Sequence, residues 1–368
     1  MSPDPTAEQL VELAFYGLAG HSDSPADLVG QVRRAEQLGL GSCFLSERFN
    51  VKDAAVLCGA VAAASETLGI ATGATNHNTR HPIVTATMAT TMHRMTGGRF
   101  ALGLGRGIEL LFDAMGIPRI TSAQLTDISG LLRELWHGGM IFGHEGAAGS
   151  YPFLCQDPSF DEDIPLMFCA IGPRSLELGG AVFDGVILHT FFGDETLASA
   201  VASVRRGAEE AGRDPSAVKV WSVLATVHDG IDEDLRLKKL VGRLATYLQG
   251  YGDLMVRVNG WDPAVLERFR ADAVVGSVPG AIDAIATTDQ LRHIAALLPE
   301  EWLAASARGT AAECAARVAG QFDLGADGVI LHGATPDELA PVVDAYRAIR
   351  DDAGLTARFA GRSANPGR

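Results

Sequence analysis

The sequence predicts an α/β fold, a closed (β/α)8 TIM barrel with insertions after its fourth and seventh strands. Three observations carry that prediction. Short, apolar, β-rich runs alternate with longer helical patterns from end to end, as βα units do. The runs number eight in 368 residues, within the usual span of one barrel. The hexapeptide Asp184-Gly185-Val186-Ile187-Leu188-His189 also returns unchanged as Asp327-Gly328-Val329-Ile330-Leu331-His332. Each copy follows a helical pattern and reads as a strand, so the two occupy equivalent places in a βα series. An open doubly wound sheet is the alternative. Eight regular units with no long polar linker favour closure.

The first strand is read at Leu13 to Gly17. Ser24 then caps a helix with Pro25 in its first turn, Leu28, Val32, Ala35 and Leu38 on one face, and Gly39 at its end. Strand two is Ser42 to Ser46, and an alanine-rich helix from Lys52 to Thr67 leads into strand three, Ile70 to Thr75. His81-Pro82 opens the next helix, Gly97-Gly98 closes it, and Arg99 to Gly105 is strand four. A helix from Thr121 to Trp136 precedes a Gly-rich excursion, Gly138 to Ile164, read as a hairpin with an acidic loop. Strands five, six and seven are Pro165 to Ala170, Gly185 to Thr190 and Lys219 to Val227. Residues 230–306 are helical in pattern and too long for one barrel helix, which makes them an insertion. Thr310 and Glu313 form a capping box, strand eight is Gly328 to His332, and Thr335, Pro336 and Glu338 start a last helix with Leu339, Val342, Val343 and Tyr346 inward. Residues 1–368 are expected to form a single domain with a frayed tail at 361–368.

Composition narrows the partners. A net charge of -15 disfavours nucleic acid and anionic membrane, since both repel an acidic surface. No apolar run reaches the roughly 20 residues that span a bilayer, and Met1 to Gln9 lacks the basic and apolar regions of a signal peptide. Cysteines 43, 58, 155, 169 and 314 are scattered, without a CxxC pair, so neither a disulfide framework nor structural zinc is expected, and a reducing cytoplasm fits.

In a barrel the site is built where strands end. Ser46-Glu47-Arg48-Phe49-Asn50 follows strand two, Thr75-Asn76-His77-Asn78-Thr79-Arg80-His81 strand three, Gly103-Leu104-Gly105-Arg106-Gly107-Ile108-Glu109 strand four, and Ala170-Ile171-Gly172-Pro173-Arg174-Ser175 strand five. His189 and His332 end strands six and eight. Glycines let backbone approach an oxygen-rich ligand, helix starts favour negative charge, and Arg106 and Arg174 supply charge-assisted bonds to a phosphate. These loops together read as an anion-binding rim. Gly103 to Gly107 is GxGxG, which lacks both the dinucleotide fingerprint and the P-loop Lys-Ser/Thr, and taken alone is an ordinary strand-to-helix turn. No metal site is expected: HExxH is absent, and His77 and His81 flank a turn, facing solvent or cofactor, rather than sharing a helix. Glu47 with Arg48 also reads as a structural ion pair at a strand end, and the two strand-end histidines as hydrogen-bonded side chains of the barrel mouth.

The ordered set of fragments resembles the luciferase-like (LLM class) flavin and deazaflavin oxidoreductases, especially the branch that uses coenzyme F420. They run from Ala35-Glu36-Gln37-Leu38-Gly39 through Arg80-His81-Pro82, Gly98 to Gly107 and Trp136-His137-Gly138-Gly139. They continue with Ile164-Pro165-Leu166 to Gly172-Pro173-Arg174, Asp184-Gly185 and Gly325-Ala326-Asp327-Gly328. The resemblance implies a barrel with F420, or alternatively FMN, over the strand ends. It also implies a bulged, often cis, peptide behind the ring at Gly73-Ala74, beside Thr75 and Asn76. The cofactor's side chain and phosphate would meet Gly105, Arg106, Gly107, Ala170, Ile171, Gly172, Pro173 and Arg174. The implied activity is hydride transfer with a small alcohol, aldehyde or enone, in a homodimer. An FMN-dependent monooxygenase and a non-catalytic flavin- or deazaflavin-binding protein are the alternatives. Where many deazaflavin members have an acidic residue followed by His after strand two, this chain has Glu47-Arg48, and arginine shuttles no proton near neutral pH. Some members also carry a catalytic Glu after the strand-four glycines, where Ile108 stands here, followed by Glu109. The catalytic candidates are therefore Glu47, Arg48, His81, His189 and Glu109, with Arg48 stabilising developing negative charge and Glu47, His81, His189 or His332 handling a proton.

Overall fold

The computed structural model describes residues 8–19, 24–49 and 51–368. The expectations for Met1 to Ala7 and for Asn50 lie outside these. Eleven strands are present among the described residues: β1 (Leu10–Tyr16), β2 (Leu40–Leu45), β3 (Gly69–Thr72), β4 (Phe100–Leu104), β5 (Met140–Gly146), β6 (Gly149–Cys155), β7 (Leu166–Cys169), β8 (Gly185–Ile187), β9 (Lys219–His228), β10 (Ala307–Gly309) and β11 (Gly328–His332). Eight of them run in the order β9-β11-β1-β2-β3-β4-β7-β8, and β8 also pairs β9, which closes the sheet into the predicted barrel. The registered pairs of the ring are all parallel, and every residue of β2, β4 and β11 is buried. Strands covered on both faces read as continuous apolar runs, which is why they were legible.

The chain forms two compact units. One comprises Met1–Leu40, Leu188–Ala202 and Val220–Arg362, with β1, β9, β10 and β11. Its buried Glu12 carboxylate accepts from Arg350 at 2.7 Å and from the Tyr346 hydroxyl at 3.1 Å. Residues 233–304 are the expected helical insertion, and their core around Leu244, Leu248, Phe269, Ile294 and Trp302 continues onto Phe191 and Ala225; in it Trp261 stacks on Trp302 at 4.4 Å. The anticipated capping boxes at Thr310/Glu313 and Thr335/Glu338 are both formed. The first helix begins at Asp27, later than read. Ser24 Oγ accepts from the Ala26 amide at 3.2 Å and so caps the turn that precedes it.

The other unit comprises Gly41–Ile187, Ser203–Lys219 and Ser363–Arg368. It holds β3, β4, β7, β8, most of β2, the helices Ala54–Ala64, Pro82–Met95, Ser122–Trp136 and Pro173–Val182, and the predicted hairpin β5–β6. Unexpected is a short helix, Glu109–Met115, in the loop after β4.

The tail corrects the sequence reading. Instead of fraying, Asn365 is fully buried and donates through Nδ2 to the carbonyls of Gly98 at 2.7 Å and Phe100 at 2.9 Å. Ser42 donates to the Ala364 carbonyl at 3.1 Å, and Arg368 pairs with Asp163 at 2.7 Å. The approach is so close that a Cβ on Gly69 would lie 1.9 Å from the Ala364 oxygen. Small polar residues and a Pro-Gly pair look like a loose end in sequence. Here they reach the starts of strands whose backbone groups need partners.

The repeat is structurally equivalent. Asp184 donates its amide to the Leu166 carbonyl at 2.7 Å and accepts the Leu166 amide on its carboxylate at 2.9 Å. Asp327 does the same with Val220, at 2.8 and 2.9 Å. Each aspartate thus sets the register of its strand against the neighbour. Among the described residues no helix is long and apolar enough to cross a membrane.

Candidate functional site

In the second unit the ends of β2, β3 and β4 meet around one feature, the cis peptide Gly73-Ala74. It is held from both sides. The Gly73 amide donates to the Leu45 carbonyl at 2.7 Å, and the Glu47 amide to the Ala74 carbonyl at 2.9 Å. Beyond it, the Thr75 amide donates to the Gly103 carbonyl at 3.0 Å, that of Gly105 to the Thr75 carbonyl at 2.9 Å, and Asn76 Nδ2 to the Gly105 carbonyl at 2.7 Å. A Cβ on Gly105 would come within 3.0 Å of Ala74 Cβ, so glycine lets the β4 end lie against the bulge. Gly73, Ala74, Thr75, Asn76 and Gly105 are thus brought together.

Glu47 anchors this platform. Its side chain is 2% exposed; Oε1 accepts the Ala54 amide at 2.9 Å, and Oε2 accepts the Thr75 hydroxyl and Arg80 Nη1, both at 2.8 Å. Arg80 also reaches Thr75 Oγ1 at 2.7 Å and Asp53 at 2.6 Å. Burial alone would lower the Arg80 guanidinium, but its bonds to Glu47 and Asp53 outweigh that and raise it. Both Glu47 oxygens are engaged, so it positions Thr75 and Arg80. At this strand end Glu47 forms an ion pair with Arg80. Arg48 is half-buried, and its backbone closes a turn onto Lys52, with the Lys52 amide donating to the Arg48 carbonyl at 2.8 Å.

His77 starts a single 3-10 turn directly after this platform. Expected to face solvent or cofactor, it is buried, and its Nε2 has no hydrogen-bond partner among the described residues. Burial lowers its pKa, so the ring stays neutral. His81 is the exposed cap of the helix Pro82–Met95, where its Nδ1 accepts the Ile83 amide at 3.3 Å and its ring meets Tyr151 edge-on at 5.3 Å.

Two further loops supply cations. Arg106 is half-buried and donates to the Ile120 carbonyl at 2.8 Å and to Ser122 Oγ at 2.9 Å, tying the loop after β4 to the start of the next helix. Gly107 turns that loop with φ +70°. After β7, Ala170 is buried, Ile171 and Gly172 are half-buried, and Gly172 caps the helix Pro173–Val182. Pro173 occupies the first helical position, where its missing N–H costs nothing. Arg174 in that first turn is exposed and makes no ion pair among the described residues. A cation beside free helix-start amides suits an anion. Glu109 is exposed and paired with Arg119 at 2.7 Å.

In the first unit His189 follows β8, and its Nδ1 lies 3.0 Å from the Thr190 carbonyl, which fixes Nδ1 as the protonated nitrogen. Burial holds this imidazole down to about 4, against the opposing pull of that bond. Tyr247 and Tyr251, on the helix Arg243–Asn259, meet it edge-on at 4.6 and 5.4 Å. His332, ending β11, meets Tyr16 at 5.3 Å, and its Nε2 lies 3.5 Å from the Tyr247 hydroxyl. Sequence reasoning missed both tyrosines because they sit in the insertion. Their i, i+4 spacing on an amphipathic helix was the available signal. Among the described residues no group of three or more His, Cys, Asp or Glu gathers as metal ligands do.

Comparison with known proteins bears on the family and the fold. The sequence model of the luciferase-like monooxygenase family matches residues 4–328. The 5,10-methylenetetrahydromethanopterin reductase of Methanolobus tindarius is 29% identical over 320 residues, covering 84% of this chain and 90% of its own. The F420-dependent glucose-6-phosphate dehydrogenase of Beutenbergia cavernae is 26% identical over 276 residues, covering 63% and 80%. Among solved structures, the coenzyme F420 dependent tetrahydromethanopterin reductase of Methanopyrus kandleri superposes with a TM-score of 0.75 at 20% identity, over 93% of this chain and 99% of that one. An F420-dependent secondary alcohol dehydrogenase in complex with an F420-acetone adduct follows at 0.70 and 19%, over 94% and 100%. At these identities the two structures speak for the fold.

Proposed function

Because the chain belongs to the luciferase-like monooxygenase family, we propose that it is an oxidoreductase that uses coenzyme F420 to move a hydride to or from a small organic substrate. The named F420-dependent relatives support this reading. The observation that carries it is the platform of small residues where the ends of β2, β3 and β4 converge at Gly73, Ala74 and Gly105, followed in the chain by His77, whose buried Nε2 has no partner among the described residues. A flat floor of small residues fits a planar ring, and a buried nitrogen without a partner fits a ligand that supplies one.

When bound, the deazaflavin supplies the hydride chemistry. Gly73, Ala74 and Gly105 would support it, Asn76 and Thr75 fix the bulge, and Arg174 with the amides at Gly172 would take its phosphate. Glu47 and Arg80 keep that floor rigid. His189 is neutral at physiological pH and presents Nε2 as an acceptor, so it orients a substrate N–H or O–H rather than donating a proton.

The test is a fluorescence titration of the purified chain with F420 and, in parallel, with FMN. Micromolar or tighter binding of F420 in preference to FMN is expected. Tighter FMN binding, with oxygen consumed when reduced FMN is supplied, would instead make the chain a flavin-dependent monooxygenase, a chemistry also named among its structural neighbours, such as the long-chain alkane monooxygenase with TM-score 0.64. The reading includes a homodimer, by analogy with the family, and sedimentation velocity tests it.

A further inference from the structure

Two helices of the second unit, Ala54–Ala64 and Pro82–Met95, do not turn a charged face outward. Neither contains Asp, Glu or Lys, and the one arginine between them, Arg94, lies in the last turn of the second. The first is apolar on every side, a pattern that belongs to a helix covered all round. Only one side is covered: Ala54, Leu57, Cys58 and Val61 are buried, whereas Val56 is 71% exposed. Between the two helices runs a groove lined by Ala55, Gly59, Val84, Thr87, Met88 and Met95. A Cβ on Gly59 would meet nothing within 4 Å, so the groove is open there. The apolar surface continues onto the hairpin β5–β6. Gln156 at its base donates to Thr90 Oγ1 at 3.2 Å, and Tyr151 meets His81 edge-on at 5.3 Å. Phe153, two residues from Tyr151 and so on the same side of its strand, packs on Phe142 at 4.9 Å with both rings exposed. Of the thirteen large apolar side chains exposed among the described residues, six stand on these three elements: Val56, Val84, Met95, Met140, Phe142 and Phe153. Exposed apolar surface gathered in this way marks a docking face.

Charge selects the occupant. The molecule carries a net charge of -15, so two copies repel over most of their surface. In a twofold contact a patch meets its own copy, and any charge within it meets its like. A face without charge along two helices escapes that penalty and is complementary to itself. The two helices also begin in the candidate site. Glu47 Oε1 accepts the Ala54 amide at 2.9 Å. Asp53 caps the first helix by accepting the Val56 amide at 2.9 Å, and pairs with Arg80 at 2.6 Å. Arg80 directly precedes His81, the cap of the second. Contacts that fix the outer faces of these helices therefore also fix their starts, and with them the triangle of Glu47, Thr75 and Arg80 beside the platform.

We propose that a second copy of this chain docks on the face formed by the helices Ala54–Ala64 and Pro82–Met95 with the hairpin β5–β6, and that docking and cofactor binding strengthen each other through the shared helix starts. The coupling is reciprocal: the factor by which association tightens the cofactor in each copy is the factor by which each bound cofactor tightens the association. Only the cofactor is taken from the proposed function, on which the linkage rests. Association is measured first and without cofactor, so that either can fail alone.

Sedimentation velocity of the purified full chain at micromolar concentration is expected to show a dimer. Gly59→Glu extends into open space on a helix, where Glu is favoured over Gly, so the single copy keeps its fold. In the dimer the same change sets like charges face to face. This variant is expected to sediment as a monomer with the circular dichroism of wild type, and so is Val84→Glu. Ile285→Glu, at a similarly exposed apolar residue of the other unit, should remain a dimer. The Gly59→Glu monomer should bind F420 about tenfold more weakly than wild type. Saturating F420 should tighten the wild-type dimer by the square of that factor, about a hundredfold, because each dimer holds two sites. A monomeric wild type, dimers in both glutamate variants, dissociation by Ile285→Glu as well, or undiminished F420 affinity in the monomer overturns the proposal. Failure of the wild-type dimer to bind F420 removes the proposed function and the linkage together, while the docking face is judged by sedimentation.

Discussion

The Glu47 carboxylate and the Arg80 guanidinium meet at 2.8 Å with both side chains largely withdrawn from water, and the Thr75 hydroxyl lies against each at 2.8 and 2.7 Å. This triangle ties the ends of β2 and β3 together, with the cis Gly73-Ala74 peptide between them. Removing one member strands another. Glu47→Ala is expected to cost about 3 kcal/mol in urea unfolding, because Arg80 keeps the Thr75 hydroxyl but only the partly exposed Asp53 as a carboxylate partner. The same variant should weaken F420 at least about tenfold by loosening Thr75. Unaltered F420 affinity in a folded variant would show that the triangle serves stability alone.

His77 predicts the opposite sign. A buried nitrogen without a partner costs roughly 1–3 kcal/mol. His77→Leu should therefore leave stability unchanged or raise it slightly, while F420 affinity falls. A variant that loses stability and retains full affinity would mean that the ring serves packing.

The pH dependence of stability should carry a signature of His189. Its folded-state value, about 4, lies below the unfolded value of about 6.5. The unfolded chain then binds this proton first, so the contribution is fully present above pH 6.5 and is lost as pH falls toward 4. The loss amounts to about 3 kcal/mol over that window. Urea unfolding of wild type and His189→Asn between pH 4 and 7.5 tests it: the two curves should converge toward acid, and parallel curves would contradict the assignment.

Asn365→Ala removes two donors from the carbonyls of Gly98 and Phe100. A loss of about 2 kcal/mol is expected, because those buried acceptors are left without their partner. Deleting residues 363–368 should cost more. Stability equal to wild type after that deletion would return the tail to the role the sequence suggested.

The barrel was legible because its strands are buried on both faces and each is followed by an amphipathic helix with a cap. The loops after β2, β3, β4 and β7 stood out as a candidate site because glycine, arginine and histidine collect there. What remained hidden was pairing at a distance. Nothing in Glu47-Arg48 announces that the partner is Arg80, 33 positions on. His77 and His81 look alike in sequence, but one is buried with an unpartnered nitrogen while the other caps a helix. Asn365 and Tyr247 escaped notice for the same reason: their importance comes from what the fold carries to them.

The duplicated hexapeptide has a consequence for how the protein can change. Its two copies deliver imidazoles, His189 and His332, that both approach the ring of Tyr247, with centroids 4.6 and 6.5 Å away. Since the six residues are identical, the chemical asymmetry between the imidazoles originates in their surroundings: the Thr190 carbonyl and Tyr251 against His189, and Tyr16 against His332. Those neighbours are adjustable dials: a substitution at Tyr251 or at Tyr16 can retune one histidine while the aspartate that locks each strand's alignment stays untouched.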